Sequence, residues 1–203
     1  MNKRIIITIN RQYGSGGRSV GKQLAEQLNI PCYDYNLIAM AAKESGFAME
    51  LFAESESSHT PPASNSLLFT LSSAANSDKA LNDKLYNIQS SVVRDVAMQG
   101  SCVIMGRCSD YLLKDDPDCL NIFIYADNQS KIDRIVARRD VPKEQALDLA
   151  IRSDKRRAAY YNYYTDQKWG KLENYDVAIN TGIVGVDGAV QTLAALVNGL
   201  DKD

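Results

Sequence analysis

Five consecutive β-branched residues, Ile5 to Ile9, stand near the start of the chain, immediately before a glycine-rich segment. An uninterrupted run of this kind is typical of a strand that is buried on both faces of a sheet. From Ser19 onward, apolar residues return at every fourth position as far as Leu28, the spacing of a helix that packs one face on a sheet. The chain is therefore predicted to begin with a strand, a glycine-rich turn and a helix.

The alternation of apolar runs and helical patterns continues to the end of the chain. Four further apolar runs predict strands at Cys32-Tyr33, Cys102–Met105, Asn121–Ala126 and Tyr175–Asn180. Helical patterns start at Leu37, Leu85, Asn128, Pro142 and Val186. Strands that alternate with helices predict an α/β fold, in which a parallel sheet carries helices on both faces. The serine- and proline-containing stretch 46–83 lacks such a pattern and predicts a polar surface insertion.

Polar residues lie at the ends of the predicted strands where parallel sheets bind their ligands. The glycine loop follows the first strand, Asp34 the second and Arg107 the third, while Asn180 ends the last. Because the carboxyl ends of parallel strands share one edge of a sheet, we expect these residues to converge on one site.

The glycine loop has the features of a phosphate-binding site. Glycine lets the backbone close around phosphate oxygens, and the amides at a helix N-terminus attract the anion together with the helix dipole. The residues expected to hold the phosphates of ATP are Gly14, Ser15, Gly16, Gly17, Arg18 and Ser19. The hydroxyl of Ser19 is expected to face the Mg²⁺ that accompanies a bound nucleotide.

The loop departs from the P-loop pattern G-x-x-x-x-G-K-[ST] at its lysine. In one register, Gly17, Arg18 and Ser19 stand for the terminal G-K-[ST]. In the nucleoside monophosphate kinase form, G-x-x-G-x-G-K-G-T, Gly17 occupies the lysine position and Arg11 the first glycine position. The missing positive charge is left to Arg18, Arg11 or Lys22, of which Arg18 is favoured.

Composition argues against several other classes of function. The chain has 203 residues and a formal net charge of −2, so nothing global favours nucleic acid or an anionic membrane. Its four cysteines form no Cys-x-x-Cys pair and His59 is the single histidine, a set too sparse to predict a zinc site. We find no apolar run near the length of a membrane span and no signal-peptide pattern. These observations favour a protein with reduced thiols in the cytoplasm.

Four segments, in their order along the chain, resemble the cytidylate kinases and above all the divergent cytidylate kinase-like branch. They are IITIN…GSGGRS, LAEQLNIPCYDYNLI, VIMGRCSDYLL and NIFIYADNQSKIDRIVARRD. The resemblance covers most of the chain and is weakest across 46–83. It implies one nucleoside monophosphate kinase domain over 1–203, with a three-layer P-loop NTPase fold and a sheet of about five strands. It also implies an acceptor-side flap at 46–83 and a lid at 134–170.

The resemblance assigns roles to individual residues. Gly106-Arg107 matches the centre of the family's monophosphate-binding motif D-G-R-D, whose acids are replaced here. Asp154 and Arg157 match a D-x-x-R pair of the lid, and Arg152 is a candidate substitute for an arginine that the family places before it. The catalytic candidates are Arg18, Arg138, Arg139, Arg152 and Arg157, with Arg134 in the same lid set. The substrate-binding candidates are Asp34, Arg107, Asp154 and Asn180.

Phosphoryl transfer suits these residue types because it depends on alignment, charge neutralisation and exclusion of water more than on a protein base. The expected reaction moves the γ-phosphate of Mg·ATP to a nucleoside monophosphate, CMP or dCMP. Two alternatives stay open: a nucleotide-binding protein with little or no kinase activity, and a kinase for a different small acceptor. The expected partners are small-molecule nucleotides, and the protein is expected to be a monomer or homodimer.

Overall fold

The computed structural model describes residues 3–34, 36–46 and 74–200 of the chain. Their strands are β1 (Ile6–Arg11), β2 (Cys32–Tyr33), β3 (Cys102–Met105), β4 (Cys119–Tyr125) and β5 (Val177–Asn180). Their α-helices are α1 (Gly17–Leu28), α2 (Asn36–Ser45), α3 (Ala74–Met98), α4 (Ser109–Leu112), α5 (Asn128–Arg139), α6 (Lys143–Thr165) and α7 (Thr181–Leu200). A short 3₁₀ turn, Leu172–Asn174, precedes β5.

The five strands form one parallel sheet in the order β2-β3-β1-β4-β5, which confirms the expected α/β fold. In the centre, Ile7 of β1 lies opposite Val103 of β3 on one side and Leu120 of β4 on the other. The chain adds β2 and β3 on one side of β1 and then β4 and β5 on the other. Ligand crevices open at such a reversal, beyond the carboxyl ends of the strands.

Two helical layers cover the sheet, which confirms the three-layer architecture. On one face, Ile7 and Ile9 pack with Leu24 of α1 and Leu193 of α7. On the other face, Ile6 packs with residues of α2 and α3. Side chains of a strand point alternately to its two faces, so the isoleucines of the run Ile5–Ile9 supply both layers of the core.

Two helices begin earlier than their apolar periodicity predicts. Helix α3 starts at Ala74 rather than Leu85, because its first turns carry no apolar stripe that would mark them in the sequence. Residues 47–73, most of the expected flap, lie outside the described residues. Helix α7 starts at Thr181 rather than Val186, and its first turn is separated from the remainder by the non-helical Gly185 (φ 73°, ψ 178°).

Helix α7 is long and apolar enough, by length and composition alone, to cross a membrane, with a mean hydropathy of 1.4. This finding corrects the expectation that no apolar run approaches that length. One face of the helix, with Val190, Leu193 and Val197, is buried in the core beside α1. A helix that packs in a protein core can have the same length and composition as a helix that spans a membrane.

Candidate functional site

The glycine loop between β1 and α1 turns tightly and exposes the amides of the helix N-terminus. Gly14 and Gly16 have φ of 77° and 80°, a region that glycine enters at little cost. A Cβ on Gly14 would also lie 2.9 Å from the carbonyl oxygen of Lys131, and one on Gly16 2.8 Å from Cγ2 of Val186. Helix α1 begins at Gly17, whose amide donates to the Ser15 hydroxyl oxygen at 3.3 Å, and its N-cap Gly16 brings no side chain over the first turn. These amides therefore carry partial positive charge toward an anion.

Side chains from α5, α6 and α7 hold the loop in this conformation. The Asp154 carboxylate of α6 accepts a hydrogen bond from the Tyr13 amide at 2.6 Å, and the Thr181 hydroxyl of α7 donates to the Ser15 carbonyl at 2.5 Å. Arg134 of α5 donates to the backbone carbonyl of Thr181 at 2.7 Å. The loop conformation is thus determined by residues far from it in the sequence.

Asp154 lies beside the loop, close to two cations that balance its negative charge. Its carboxylate is 3.5 Å from Nη1 of Arg157 and 4.0 Å from Nζ of Lys131. Burial raises the pKa of this carboxyl, whereas the Tyr13 amide and the two cations lower it, and the effect of burial is the largest. Arg157 also donates to the backbone carbonyl of Arg11 at 2.9 Å. Asp154 therefore holds both the loop and Arg157, the arginine that contacts the start of the loop.

A cleft of about 620 Å³ opens over the loop, and we call it the loop cleft. The predicted site residues that line it are Gly14, Gly16, Gly17, Arg18, Ser19, Asp34, Arg107, Arg138, Arg139 and Arg157. Two further arginines, Arg11 and Arg134, also line it. Guanidinium groups bind phosphate oxygens in pairs, so this density of arginine suits a polyphosphate.

A second cavity of about 300 Å³, the inner cavity, adjoins the loop cleft. Four residues line both cavities and form a wall that the two cavities share: Arg11, Tyr13, Arg107 and Arg157. Arg156 and the rings of Tyr160, Tyr161 and Trp169 line the inner cavity away from this wall. Guanidinium groups beside aromatic rings suit a small anion that carries a flat ring.

The turn after β3 places Arg107 in the shared wall through an unusual backbone. Gly106, Arg107 and Cys108 have φ of 69°, 61° and 55°, three successive left-handed residues. Each non-glycine residue in this region costs roughly 1–2 kcal/mol. The turn is fixed at one end by a hydrogen bond from the Gly106 amide to the Ile9 carbonyl at 3.0 Å. Strain that the surroundings enforce in this way is common at functional sites.

Buried polar groups lie beside the inner cavity. Asn10 and Asp110 are only 5% and 3% exposed, and the Tyr161 hydroxyl donates to Oδ2 of Asp110 at 2.7 Å. Burial raises the pKa of the Asp110 carboxyl, and the Tyr161 hydrogen bond opposes that shift. Among the described residues, Nδ2 of Asn10 and Oδ1 of Asp110 form no hydrogen bond of good geometry, although Asn10 lies near enough to Asp110 to lower the pKa of its carboxyl. Asn10 also lines the inner cavity, where its amide is placed to donate to a ligand.

Asp110→Asn should change how stability depends on pH. Because the folded state raises the pKa of Asp110 above its ordinary value of 3.8, this group contributes stability at low pH that is lost as pH rises through the folded pKa. We expect the free energy of unfolding of the wild type to fall relative to that of the variant over this window. The fall is about 1.4 kcal/mol for each unit by which the folded pKa exceeds the unfolded one.

Urea unfolding of both proteins between pH 4 and pH 8 measures this difference. Asp115→Asn, a change at an exposed carboxylate in the turn after α4, controls for the loss of one charge. A difference between wild type and Asp110→Asn that stays constant over the whole range would show that the carboxyl of Asp110 is not perturbed by burial.

Four predicted site residues lie outside both cavities: Asp154, described above, and Arg152, Ser15 and Asn180. Arg152 is 73% exposed and pairs with Asp148 one turn earlier in α6. Ser15 is buried beneath the loop, where its hydroxyl donates to a backbone carbonyl. Asn180 accepts a hydrogen bond from the Gly182 amide at 2.9 Å and so supports the start of α7.

The three cations considered for the missing lysine occupy different places. Lys22 lines a separate surface pocket with Asn29 and Cys32, toward the other end of α1. Arg18 lines the loop cleft and pairs through Nε with Asp34. Arg11 lines the loop cleft and the inner cavity.

Sequence reasoning did not single out Asn10 or Tyr13, both of which line the inner cavity. A signal for Asn10 was present, because it is a polar residue near the end of a buried strand, as Asp34 is. Tyr13 carries no comparable signal, since a tyrosine in a turn is ordinary on a surface.

The loop cleft has one residue suited to the Mg²⁺ that accompanies a nucleotide. Within residues 3–34, 36–46 and 74–200, no group of three or more His, Cys, Asp or Glu side chains is arranged to hold a metal ion. Mg²⁺ that accompanies a nucleotide needs only one or two protein ligands, because phosphates and water supply the others. The exposed Ser19 hydroxyl, in the first turn of α1, fits that role.

Comparisons with known proteins agree with this geometry. A cytidylate kinase from Methanocaldococcus jannaschii is 26% identical to the chain over 207 residues, which cover 98% of this chain and all of the relative. The crystal structure of an uncharacterized protein from Eubacterium ventriosum has a TM-score of 0.74 and 30% identity, over 96% of this chain and 99% of that one.

More distant structures share the fold. A shikimate kinase from Bacteroides thetaiotaomicron has a TM-score of 0.56 at 15% identity, over 97% of this chain and 99% of that one.

Residues 6–183, from the first strand to the start of the last helix, match the cytidylate kinase-like family. The chain therefore belongs to the cytidylate kinase-like family.

Proposed function

We propose that this chain transfers the γ-phosphate of Mg·ATP to a nucleoside monophosphate, and that the acceptor is CMP or dCMP. The observation that carries the proposal is the wall shared by the loop cleft and the inner cavity. Because four residues line both cavities, a donor in one and an acceptor in the other would contact the same side chains and lie next to each other. Membership of the family and the similarity to a cytidylate kinase support the choice of acceptor.

The donor phosphates are proposed to lie on the amides of Gly14 to Ser19. Arg138 and Arg139, at the end of α5, line the same cleft and would neutralise the transferring group. Mg²⁺, when bound, neutralises charge on the β- and γ-oxygens, and the Ser19 hydroxyl would hold it. Arg152 stays a catalytic prediction, although its exposed position gives it no contact with either cavity.

The acceptor phosphate is proposed to meet Arg107, and its base the aromatic side of the inner cavity. Nδ2 of Asn10, which lines this cavity, would donate to an acceptor atom of the ligand. The substrate-binding roles of Asp34, Asp154 and Asn180 remain predictions. The free thiols of all four cysteines support a cytoplasmic location.

A screen of acceptors tests the proposal. The purified chain, with Mg·ATP, is offered CMP, dCMP, UMP, AMP, GMP and shikimate, and the rate of ADP formation is measured for each. We expect CMP or dCMP to give the highest kcat/KM. Removal of Mg²⁺ with EDTA should abolish turnover, and added Mg²⁺ should restore it.

The alternatives give different results in the same screen. Calorimetric binding of Mg·ATP without ADP formation from any acceptor would support a nucleotide-binding protein. Faster turnover with an acceptor outside the pyrimidine nucleotides would support a kinase for another small molecule.

A further inference from the structure

We propose that Arg11 is a catalytic residue, which binds the phosphoryl group in transit and supplies the charge that a P-loop lysine would supply. The inference rests on the proposed function and assigns a role within the same site. Arg11 is the last residue of β1, and its side chain lies in the wall between the two cavities.

Two glycines leave the space that this side chain occupies. A Cβ on Gly17 would lie 2.6 Å from Cβ of Arg11, and a Cβ on Gly106 would lie 2.5 Å from its Nη1. Close-packed interiors do not accommodate contacts this short without displacing one partner. The arginine therefore extends from the first turn of α1 to the end of β3, along the boundary between the loop cleft and the inner cavity.

The side chain of Arg11 is less exposed than that of Arg18, the other candidate at this loop. Its side chain is 20% exposed, compared with 44% for Arg18. Its backbone carbonyl accepts the hydrogen bond from Arg157, which is itself paired with Asp154. A charge that is already in position stabilises a transition state without the cost of reorganisation.

The ion pair between Arg11 and Asp34 is longer than a hydrogen bond. Nη2 of Arg11 lies 3.8 Å from Oδ1 of Asp34, beyond hydrogen-bonding distance, while the other oxygen of Asp34 pairs with Arg18. Phosphoryl oxygens form shorter, charge-assisted hydrogen bonds with a guanidinium group. Asp34 would therefore balance the charge of Arg11 until a phosphoryl group takes its place.

The proposed step needs no proton from Arg11. The bond between the γ-phosphorus and the β–γ bridging oxygen breaks, and its electron pair stays on the departing ADP. A bond forms between that phosphorus and an oxygen of the acceptor phosphate, which is largely ionised at neutral pH. Arg11, which keeps its proton throughout, donates hydrogen bonds to the oxygens of the group that moves.

Nucleotide affinities test this inference apart from turnover. Calorimetry would give the Kd of Mg·ADP and of the Mg²⁺ complex of a non-hydrolysable ATP analogue for the wild type, Arg11→Ala and Arg11→Lys. We expect Arg11→Ala to weaken the analogue about tenfold to a hundredfold and ADP less than about threefold. Arg11→Lys keeps the charge and the side-chain stem. Its Kd for the ATP analogue should therefore lie between the values of the wild type and Arg11→Ala. Arg94→Ala, at an exposed arginine of α3, controls for loss of one positive charge.

Equal weakening of both nucleotides, or no change in either, would overturn the role of Arg11. If Arg11→Ala does not fold, as thermal unfolding would show, Arg11→Lys must by itself show the selective loss, and its absence would overturn the inference. A wild type that forms no ADP with any acceptor, while the selective loss in the Arg11 variants persists, would refute the proposed function and the catalytic role of Arg11, and would leave Arg11 as a residue that binds the γ-phosphate.

Discussion

Arg107→Gly should lose phosphoryl transfer and yet be more stable than Arg107→Ala. Either variant removes the guanidinium proposed to bind the acceptor phosphate, so we expect kcat/KM for the acceptor to fall roughly 10²- to 10³-fold. Glycine, however, accepts the φ of 61° that this position requires, whereas alanine keeps the strain. The glycine variant should therefore have a free energy of unfolding about 1 kcal/mol above that of the alanine variant.

ADP formation with the best acceptor and urea unfolding measure these two effects. Arg94 gives a matched control, because it lies on the exposed face of α3 with helical neighbours on both sides. There the order reverses: Arg94→Gly should be less stable than Arg94→Ala by about 0.5–1 kcal/mol, and both should keep full activity. If Arg107→Gly kept full kcat/KM, the left-handed turn would have no link to acceptor binding.

Asp154→Ala should destabilise the fold and weaken ATP binding together. The change leaves the Tyr13 amide without its acceptor and Lys131 and Arg157 without their counter-ion. Removal of one partner from a largely buried ion pair costs about 3 kcal/mol of unfolding free energy. Asp154→Asn keeps an oxygen for the Tyr13 amide and should be less destabilised. Urea unfolding and calorimetry with Mg·ATP give the two quantities.

Asp148 provides the comparison for this prediction. Its pair with Arg152 is on the same helix but exposed, so Asp148→Ala should change the unfolding free energy by less than about 1 kcal/mol. Should Asp154→Ala prove as stable as the wild type and raise only the KM of the acceptor, Asp154 would be a substrate-binding residue, as the sequence motif predicts.

The parallel sheet was predictable because its signals are local. The run Ile5–Ile9 marks a strand buried on both faces, and the glycines after it mark a turn into a helix. The predicted start of α3 was too late, because helical turns without an apolar stripe show no periodicity in the sequence. The break at Gly185 likewise depends on a single glycine, which the sequence alone does not distinguish from glycines inside a helix.

Site residues were predictable as far as they follow strands. That rule located Arg107 and Asp34, which line the loop cleft. It does not rank Arg11 against Arg18, because the difference lies in the space opened by Gly106, far away in the chain. Nor does a motif indicate that Arg152 faces outward from α6, since the helical phase that decides exposure is set by tertiary packing.

The contacts that hold the glycine loop have a consequence for the order of events during synthesis. Tyr13, Arg11 and Ser15 are bonded to partners that lie 141, 146 and 166 residues later in the chain. Contacts of such long range form late, after much of the chain has been made. A nascent chain that has left the ribosome only as far as β4 therefore carries every residue of the loop and lacks the partners that shape it. If ATP binds this loop as proposed, it can assist folding only after translation is nearly complete.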